Sequence, residues 1–106
     1  MRKITVATGI ISTVAGTGTA AYNGDDRPAT EAAVNAPINV TFDNNGNLVI
    51  ADSGNNRIRR INMADGKIST IVGTGTSGFA GDGGLATDAR VNVPAGVVYD
   101  SAGNLY

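Results

Sequence analysis

Polar and aromatic side chains able to bind a ligand concentrate in three stretches of this sequence. Two of these stretches place an aromatic ring and polar groups around a Gly-Asp pair, and the third is the run Asp-Ser-Gly-Asn-Asn-Arg. Rings beside hydrogen-bonding groups suit recognition of a peptide, a glycan or a partner protein. The candidate ligand-binding residues are Tyr22, Asn23, Asp25, Asp26, Arg27, Asp52, Asn55, Asn56, Arg57, Phe79 and Asp82.

Catalytic chemistry has few candidate residues in this chain. The 106 residues include no His and no Cys, which removes the commonest general base, the commonest transition-metal ligands and any disulfide. The carboxylates show no paired spacing typical of acid–base catalysis. We therefore expect no enzyme activity, no catalytic residue, no cofactor and no metal ligand.

The charge balance and the hydropathy pattern narrow the range of partners. Eight basic and nine acidic residues give a net charge of −1, so nucleic acid is a poor candidate partner. No stretch is long and apolar enough to span a membrane, and the N-terminal residues lack the continuous apolar segment of a signal peptide. A soluble chain of unassigned compartment is expected.

The candidate residues belong to a tandem repeat. The run Ile-Ser-Thr-Val-Ala-Gly-Thr-Gly that starts at Ile11 returns as Ile-Ser-Thr-Ile-Val-Gly-Thr-Gly at Ile68, 57 positions later. The same register, without a gap, pairs Asp43 with Asp100. Such a period indicates units that stack or surround an axis, because one unit cannot bury its own apolar surface.

Each unit is predicted to contain four short antiparallel strands, because β-branched runs alternate with Gly, Asp and Asn turns. A long loop follows the fourth strand, at residues 17–37 (the first long loop) and 74–94 (the second long loop). One helical turn is expected after Pro28 in the first long loop. Strands A to D of the complete unit are residues 39–43, 48–52, 56–63 and 67–72, whereas residues 2–6 and 10–15 correspond to strands C and D, and residues 96–100 to strand A.

The strand directions place the turn between strands B and C on the same side as both long loops. Loops that converge in this way are the default place for recognition. Asp52 and Arg57 face each other across the turn, where we expect an ion pair that braces it. On the opposite side, the run of residues 43–47 has oxygen ligands around a Gly but lacks the closing Glu of a calcium loop. It therefore predicts an Asx-type hairpin turn.

The long loops supply the other candidates. Tyr22 and Phe79 occupy equivalent positions of the two copies and are expected to be apolar anchors that pin the loops. Asn23, Asp26 and Arg27 differ from their counterparts one period later, which leaves them as the exposed polar candidates for a ligand.

The run Asn-Leu-Val-Ile-Ala-Asp-Ser-Gly-Asn-Asn-Arg-Ile-Arg-Arg-Ile at residues 47–61 resembles the NHL repeat signature N-L-Y-[IV]-A-D-x-x-N-N-R-I-[RK]. Residues 36–43 and the glycine-rich long loops are similar to the bacterial form of that family. The sequence departs from the pattern at Asp26-Arg27, where Gly-Gly is expected, and at the second signature, which stops at Tyr106.

The resemblance implies an all-β fold, a β-propeller that is most often six-bladed, with one four-stranded blade per repeat. Residues 2–16 would then form half a blade from strands C and D. Residues 17–73 would form one complete repeat, and residues 74–106 would form a long loop and half a blade from strands A and B.

The resemblance also implies a non-catalytic scaffold or binding module that presents a peptide, glycan or partner protein on the loop side. A fragment, or an engineered or reconstructed unit without a biological ligand, is a related interpretation. A glycan-binding propeller lectin is an alternative, with Tyr22 beside Asp25 and Phe79 beside Asp82. A calcium-dependent, hydrolase-like propeller, with an all-oxygen site assembled from several chains, is a further alternative.

A homo-oligomer is expected because the two half blades are complementary. The first residues supply strands C and D, whereas the last residues supply strand A and the start of strand B, and a monomer would expose strand edges and apolar faces. Pairing the last strands of one chain with the first strands of the next closes a ring. With two blades per chain we expect a trimer of six blades, with a tetramer as the alternative.

Overall fold

The computed structural model describes residues 1–106, and regular structure consists of short strands and three single 3-10 turns. The 3-10 turns are Ala29–Glu31, Ser53–Asn55 and Ala86–Asp88. No helix has the length and apolar character needed to cross a membrane. The strands are β1 (Arg2–Thr5), β2 (Ile10–Thr13), β3 (Arg27–Pro28), β4 (Pro37–Phe42), β5 (Leu48–Asp52), β6 (Arg57–Ile61) and β7 (Lys67–Val72).

Two antiparallel sheets contain all the strands. β1 pairs with β2 alone, and the other five strands form one sheet in the order β3-β7-β6-β5-β4. Strands β4 to β7 are the predicted strands A to D, which confirms the four-stranded unit, and β5 and β7 have the predicted bounds. The all-β structure is consistent with a fragment of a β-propeller.

Alternating side chains give the complete blade, β4 to β7, two apolar faces. One face carries Leu48, Ile50, Ile61 and Ile68 and packs against small residues of the first long loop and its approach, Ala15, Ala29 and Ala32. The other face carries Val49, Ala51 and Ile58 and packs against Val97 of the second copy. The blade is therefore covered on one side by its preceding loop and on the other by the next repeat.

The ends of β1, β2, β4 and β6 differ from the predicted bounds by one or two residues, and two larger differences concern whole elements. Residues 96–100 do not form a strand, because the segment that pairs with them is short: Val98 and Tyr106 exchange two backbone hydrogen bonds, and Tyr99 and Leu105 form an isolated bridge. The unpredicted strand β3 pairs with the outer edge of β7. Its Pro28 has no N–H to donate, which suits an edge position.

Candidate functional site

The turn between β5 and β6 lies between the two long loops, as the strand directions predict. Gly54 N–H donates to the carbonyl oxygen of Asn35 at 2.9 Å, and Asn55 Nδ2 donates to that of Ala21 at 2.8 Å. On its other side, Ser53 Oγ donates to the carbonyl oxygen of Pro94 in the second long loop. The turn thus fastens both loops to one end of the blade.

Asn56 fastens the second long loop from a left-handed backbone conformation, with φ of 51° and ψ of 48°. Asn tolerates this conformation better than most residues. Its Oδ1 accepts the N–H of Val93 at 2.9 Å, and its Nδ2 lies 3.5 Å from the carbonyl oxygen of Gly75. Both amide atoms of this candidate ligand-binding residue are therefore occupied within the chain.

Arg59 is the centre of the buried polar network at this end of the blade. Its side chain is fully buried, and its guanidinium donates to the carbonyl oxygens of Gly24 at 2.7 Å and Ala33 at 3.0 Å. It also forms ion pairs with Asp25 at 3.1 Å and Asp52 at 3.5 Å. One cation on the blade thus binds three separate points of the chain around it.

Asp52 has no exposed surface and does not pair with Arg57. Its Oδ1 accepts the N–H of Asn35 at 2.7 Å, and its Oδ2 accepts Asn55 Nδ2 at 2.8 Å and the guanidinium of Arg59. The predicted Asp52–Arg57 ion pair is wrong because Asn35, Asn55 and Arg59 already surround the carboxylate.

Arg57 instead bridges the two long loops. Its guanidinium lies 3.7 Å from the centre of the Tyr22 ring, a cation–π distance, and donates to the carbonyl oxygen of Thr74 at 2.8 Å. Tyr22 as a whole is 38% exposed, so it is an anchor that the structure covers only in part. Arg57 therefore occupies one face of the Tyr22 ring.

Of the remaining candidates in the first long loop, Asn23 and Arg27 contact other residues of the same loop, whereas Asp26 is exposed. Asn23 Nδ2 donates to the carbonyl oxygen of Glu31, and its Oδ1 accepts the N–H of Ala33 at 2.8 Å. Arg27 is half-buried in β3, where its side chain folds over Gly24. Asp26 is the exposed carboxylate of this group, held at φ of 58°.

The second long loop exposes its candidates. Phe79 is 93% exposed, so the prediction that it anchors this loop is wrong for this chain. Tyr22 packs on the arginines of β6, and no equivalent strand lies beside Phe79. Asp82 is also exposed and takes part in no ion pair or side-chain hydrogen bond.

The run around Asp43 is a hairpin turn closed by its own side chain. Asp43 Oδ1 accepts the N–H groups of Asn45 and Asn47 at 2.9 and 2.8 Å, and Oδ2 accepts Asn47 Nδ2 at 3.0 Å. Burial raises the pKa of Asp43, but these hydrogen bonds and the charge of Arg60 outweigh it and hold the pKa below 3.8. The predicted Asx-type turn is confirmed.

Asp100 closes an equivalent turn one period later. Its carboxylate accepts the N–H groups of Ala102 and Asn104 at 2.9 and 2.8 Å and Asn104 Nδ2 at 2.8 Å. The bonds from the Asn104 side chain and backbone lower the pKa of Asp100. No group of three or more His, Cys, Asp or Glu side chains is placed to hold a metal ion.

The residue that sequence reasoning missed is Arg59. In the run Arg-Ile-Arg-Arg-Ile of β6, alternation puts Arg59 on the same face as Ile61, opposite Ile50 of β5. A charged residue in phase with buried isoleucines was the available signal. Two acidic residues at Asp25 and Asp52 were the available partners.

Together these features define a class of protein: an all-β repeat protein with one complete four-stranded antiparallel unit flanked by two long loops, consistent with a fragment of a β-propeller. Residues 35–61, which include β4, β5 and β6, match the family model described as NHL repeat. This match agrees with the resemblance of residues 47–61 to the NHL repeat signature.

Two known proteins are similar to most of the chain. The crystal structure of a structural genomics protein of unknown function from Bacteroides thetaiotaomicron VPI-5482 superposes with a TM-score of 0.84 and 25% identity, covering 98% of this chain and 26% of that one. Protein SUPPRESSOR OF QUENCHING 1, chloroplastic, from Arabidopsis thaliana is 27% identical over 85 residues, 80% of this chain and 8% of that protein. The chain thus spans a small part of either relative.

Proposed function

We propose that this chain is a non-catalytic repeat scaffold whose blades are completed by other copies of the same chain, forming a closed propeller that binds a partner protein or peptide on its loop side. The observation that carries the proposal is a comparison between the two copies of the repeat. Equivalent apolar residues are buried in the complete blade and exposed in the half blade.

Two pairs of isoleucines make the comparison direct. Ile61 is 2% exposed in β6, whereas Ile4, its equivalent in β1, is 62% exposed. Ile68 is fully buried in β7, whereas Ile11 of β2 is 51% exposed. Because residue type and strand position are the same, the difference comes from the elements that cover each pair.

The elements that cover the complete blade identify what would cover the half blade. Ile61 and Ile68 pack in one cluster with Leu48 and Ile50 of β5. The equivalent of Leu48 is Leu105, which lies in the final hairpin of the chain beside the exposed side chains of Val98 and Tyr106. Each copy therefore exposes the apolar side chains of β1 and β2. It also carries, at residues 96–106, a hairpin equivalent to the β4–β5 hairpin of the complete blade.

The stoichiometry that we propose for the closed ring is a trimer. Two repeats per chain and the six blades common in the family correspond to three chains. A tetramer with eight blades is the alternative, because propellers typically have four to eight blades. A head-to-tail contact between identical chains is closed by cyclic symmetry.

A binding role is supported by the loop side, where the two long loops converge on the turn between β5 and β6. Most polar groups there hold the loops in place, as described above, which gives a rigid surface. The exposed groups left on that side include Asp26 and Phe79. Rigid loops on a repeat scaffold suit recognition of a partner protein or peptide.

Multi-angle light scattering of the 106-residue chain tests the assembly. We expect a discrete species with the mass of three chains, or of four, across micromolar concentrations. A folded monomer at those concentrations would refute the proposal.

A further inference from the structure

The repeat register makes Arg2 the equivalent of Arg59, the buried centre of the loop network. The two arginines share a local setting. Arg59 is the cross-strand partner of Thr70 between β6 and β7, and Arg2 is the cross-strand partner of Thr13 between β1 and β2. The half blade therefore presents the same Arg–Thr pair as the complete blade.

In the complete blade this pair binds the Gly-Asp step of the first long loop. Arg59 donates to the Gly24 carbonyl oxygen at 2.7 Å and to Asp25 Oδ1 at 3.1 Å. Thr70 Oγ1 donates to the same Asp25 oxygen at 3.2 Å. The Asp25 carboxylate and the Gly24 carbonyl oxygen thus accept three hydrogen bonds from side chains of two neighbouring strands.

The second long loop carries the matching acceptors, and its glycine has the same left-handed φ. Gly81 and Asp82 are the equivalents of Gly24 and Asp25, and the φ angles of the two glycines are 110° and 106°. The 3-10 turn that follows is also held alike in both loops. Gly16 N–H donates to the carbonyl oxygen of Ala29 at 3.0 Å, and Gly73 N–H donates to that of Ala86 at 2.9 Å.

The two charged groups of this second site have no partner within the chain, whereas the Gly81 carbonyl oxygen accepts the N–H of Gly84 at 3.0 Å and keeps one lone pair for a second donor. Arg2 and Asp82 are both exposed, and neither forms an ion pair or a side-chain hydrogen bond. We propose that Arg2 and Thr13 of one copy bind Asp82 and the Gly81 carbonyl oxygen of the next copy. This inference rests on the self-assembly proposed above and names the polar contact that sets its register.

The contact would be a desolvated ion pair rather than a screened surface pair. In the equivalent pair the Arg59 side chain is fully buried and the Asp25 side chain is 27% exposed. Removal of one partner from such an interface leaves the other charge buried and unpaired, which weakens binding far more than the loss of a rim contact does. Charge complementarity of this kind selects the head-to-tail pairing over other packings of the apolar strands.

Charge reversal in the 106-residue chain tests the contact. Arg2→Asp and Asp82→Arg, each alone, are expected to raise the dissociation constant between copies by about 30-fold or more. The double variant carries both reversals, so that every interface of the ring again joins opposite charges. It is expected to recover most of the lost affinity. Sedimentation equilibrium measures the constants, and circular dichroism checks that each variant keeps its β structure.

Two matched controls use neighbouring charges. Lys3→Asp changes the next residue of β1, whose equivalent Arg60 forms no ion pair, and Asp88→Arg changes an exposed carboxylate of the second long loop. Both are expected to assemble like the wild type. A wild-type chain that stays monomeric refutes self-assembly itself. An oligomer that is indifferent to both single reversals, or is not restored by the double reversal, overturns this contact and leaves the scaffold proposal standing.

Discussion

Replacement of Arg59 should cost more stability than replacement of any other charged residue of the blade. In Arg59→Leu, the carbonyl oxygens of Gly24 and Ala33 lose donors at 2.7 and 3.0 Å. Asp25 and Asp52 lose their cation, and Asp52 is fully buried. An aliphatic side chain fills much of the volume, so the loss is chiefly electrostatic.

The size of the effect follows from the groups left behind. Breaking a buried ion pair by removing one partner costs about 3 to 5 kcal/mol. Asp52 keeps the hydrogen bonds from Asn35 and Asn55, which limits the penalty, while the two orphaned carbonyl oxygens add to it. We therefore expect about 4 kcal/mol for Arg59→Leu. Arg59→Lys keeps the charge but loses the planar fork, and about 2 kcal/mol is expected.

Urea denaturation at fixed protein concentration measures both variants, because assembly couples stability to concentration. Arg60→Leu is the matched control, since Arg60 is the next residue of β6, is half-exposed and forms no ion pair. A loss under about 1 kcal/mol is expected there. If Arg59→Leu and Arg60→Leu show the same midpoint, the network around Arg59 does not hold the loop and the reasoning is refuted. If Arg59→Leu does not fold, Arg59→Lys still gives a measurable difference.

Two further predictions concern Tyr22 with Phe79 and the turn at Asp43. Thermal melts of chains diluted until the copies dissociate should show a loss of about 2 kcal/mol for Tyr22→Ala, whose ring packs under Arg57 within the chain. Phe79→Ala should cost less than about 0.5 kcal/mol there, because the Phe79 ring is exposed in the single chain. Equal losses would contradict this. The pKa of Asp43 in the folded protein lies below its ordinary value of 3.8. The stabilisation of the fold by the ionised Asp43 carboxylate is therefore complete above pH 3.8 and is lost as the pH falls through the folded pKa. Asp43→Asn should therefore be less sensitive than the wild type to a change from about pH 6 to about pH 3, measured by urea midpoints, and an unchanged sensitivity would contradict this.

The strands were predictable because local chemistry determines them. Short runs that contain β-branched residues set β5 and β7, and Asp43 sets the turn before β5 through hydrogen bonds within five residues of sequence. The register from β5 to β6 follows from the short turn between them. The segment 96–100 was predicted as a strand by its own residues, but a strand also needs a partner of matching length.

The polar network was harder to predict because cross-strand proximity does not decide which charges pair. Asp52 and Arg57 are direct cross-strand neighbours, and this made their ion pair the simplest expectation. The pairing was decided by the first long loop, which brings Asn35 and Asp25 to the blade from distant positions. Arg57 packs on the Tyr22 ring instead.

The limits of repeat symmetry explain why Phe79 does not anchor its loop, although it occupies the position equivalent to Tyr22. A repeat equates residue types and some local geometry, as the similar φ angles of Gly24 and Gly81 show. It does not equate surroundings, because each loop packs on the blade that follows it. Tyr22 lies against Arg57 and Arg59, whereas no strand of the same chain covers Phe79, which is exposed. Differences in burial between equivalent residues therefore locate the surfaces that a neighbouring unit must cover, and in this chain they converge on β1, β2 and the second long loop.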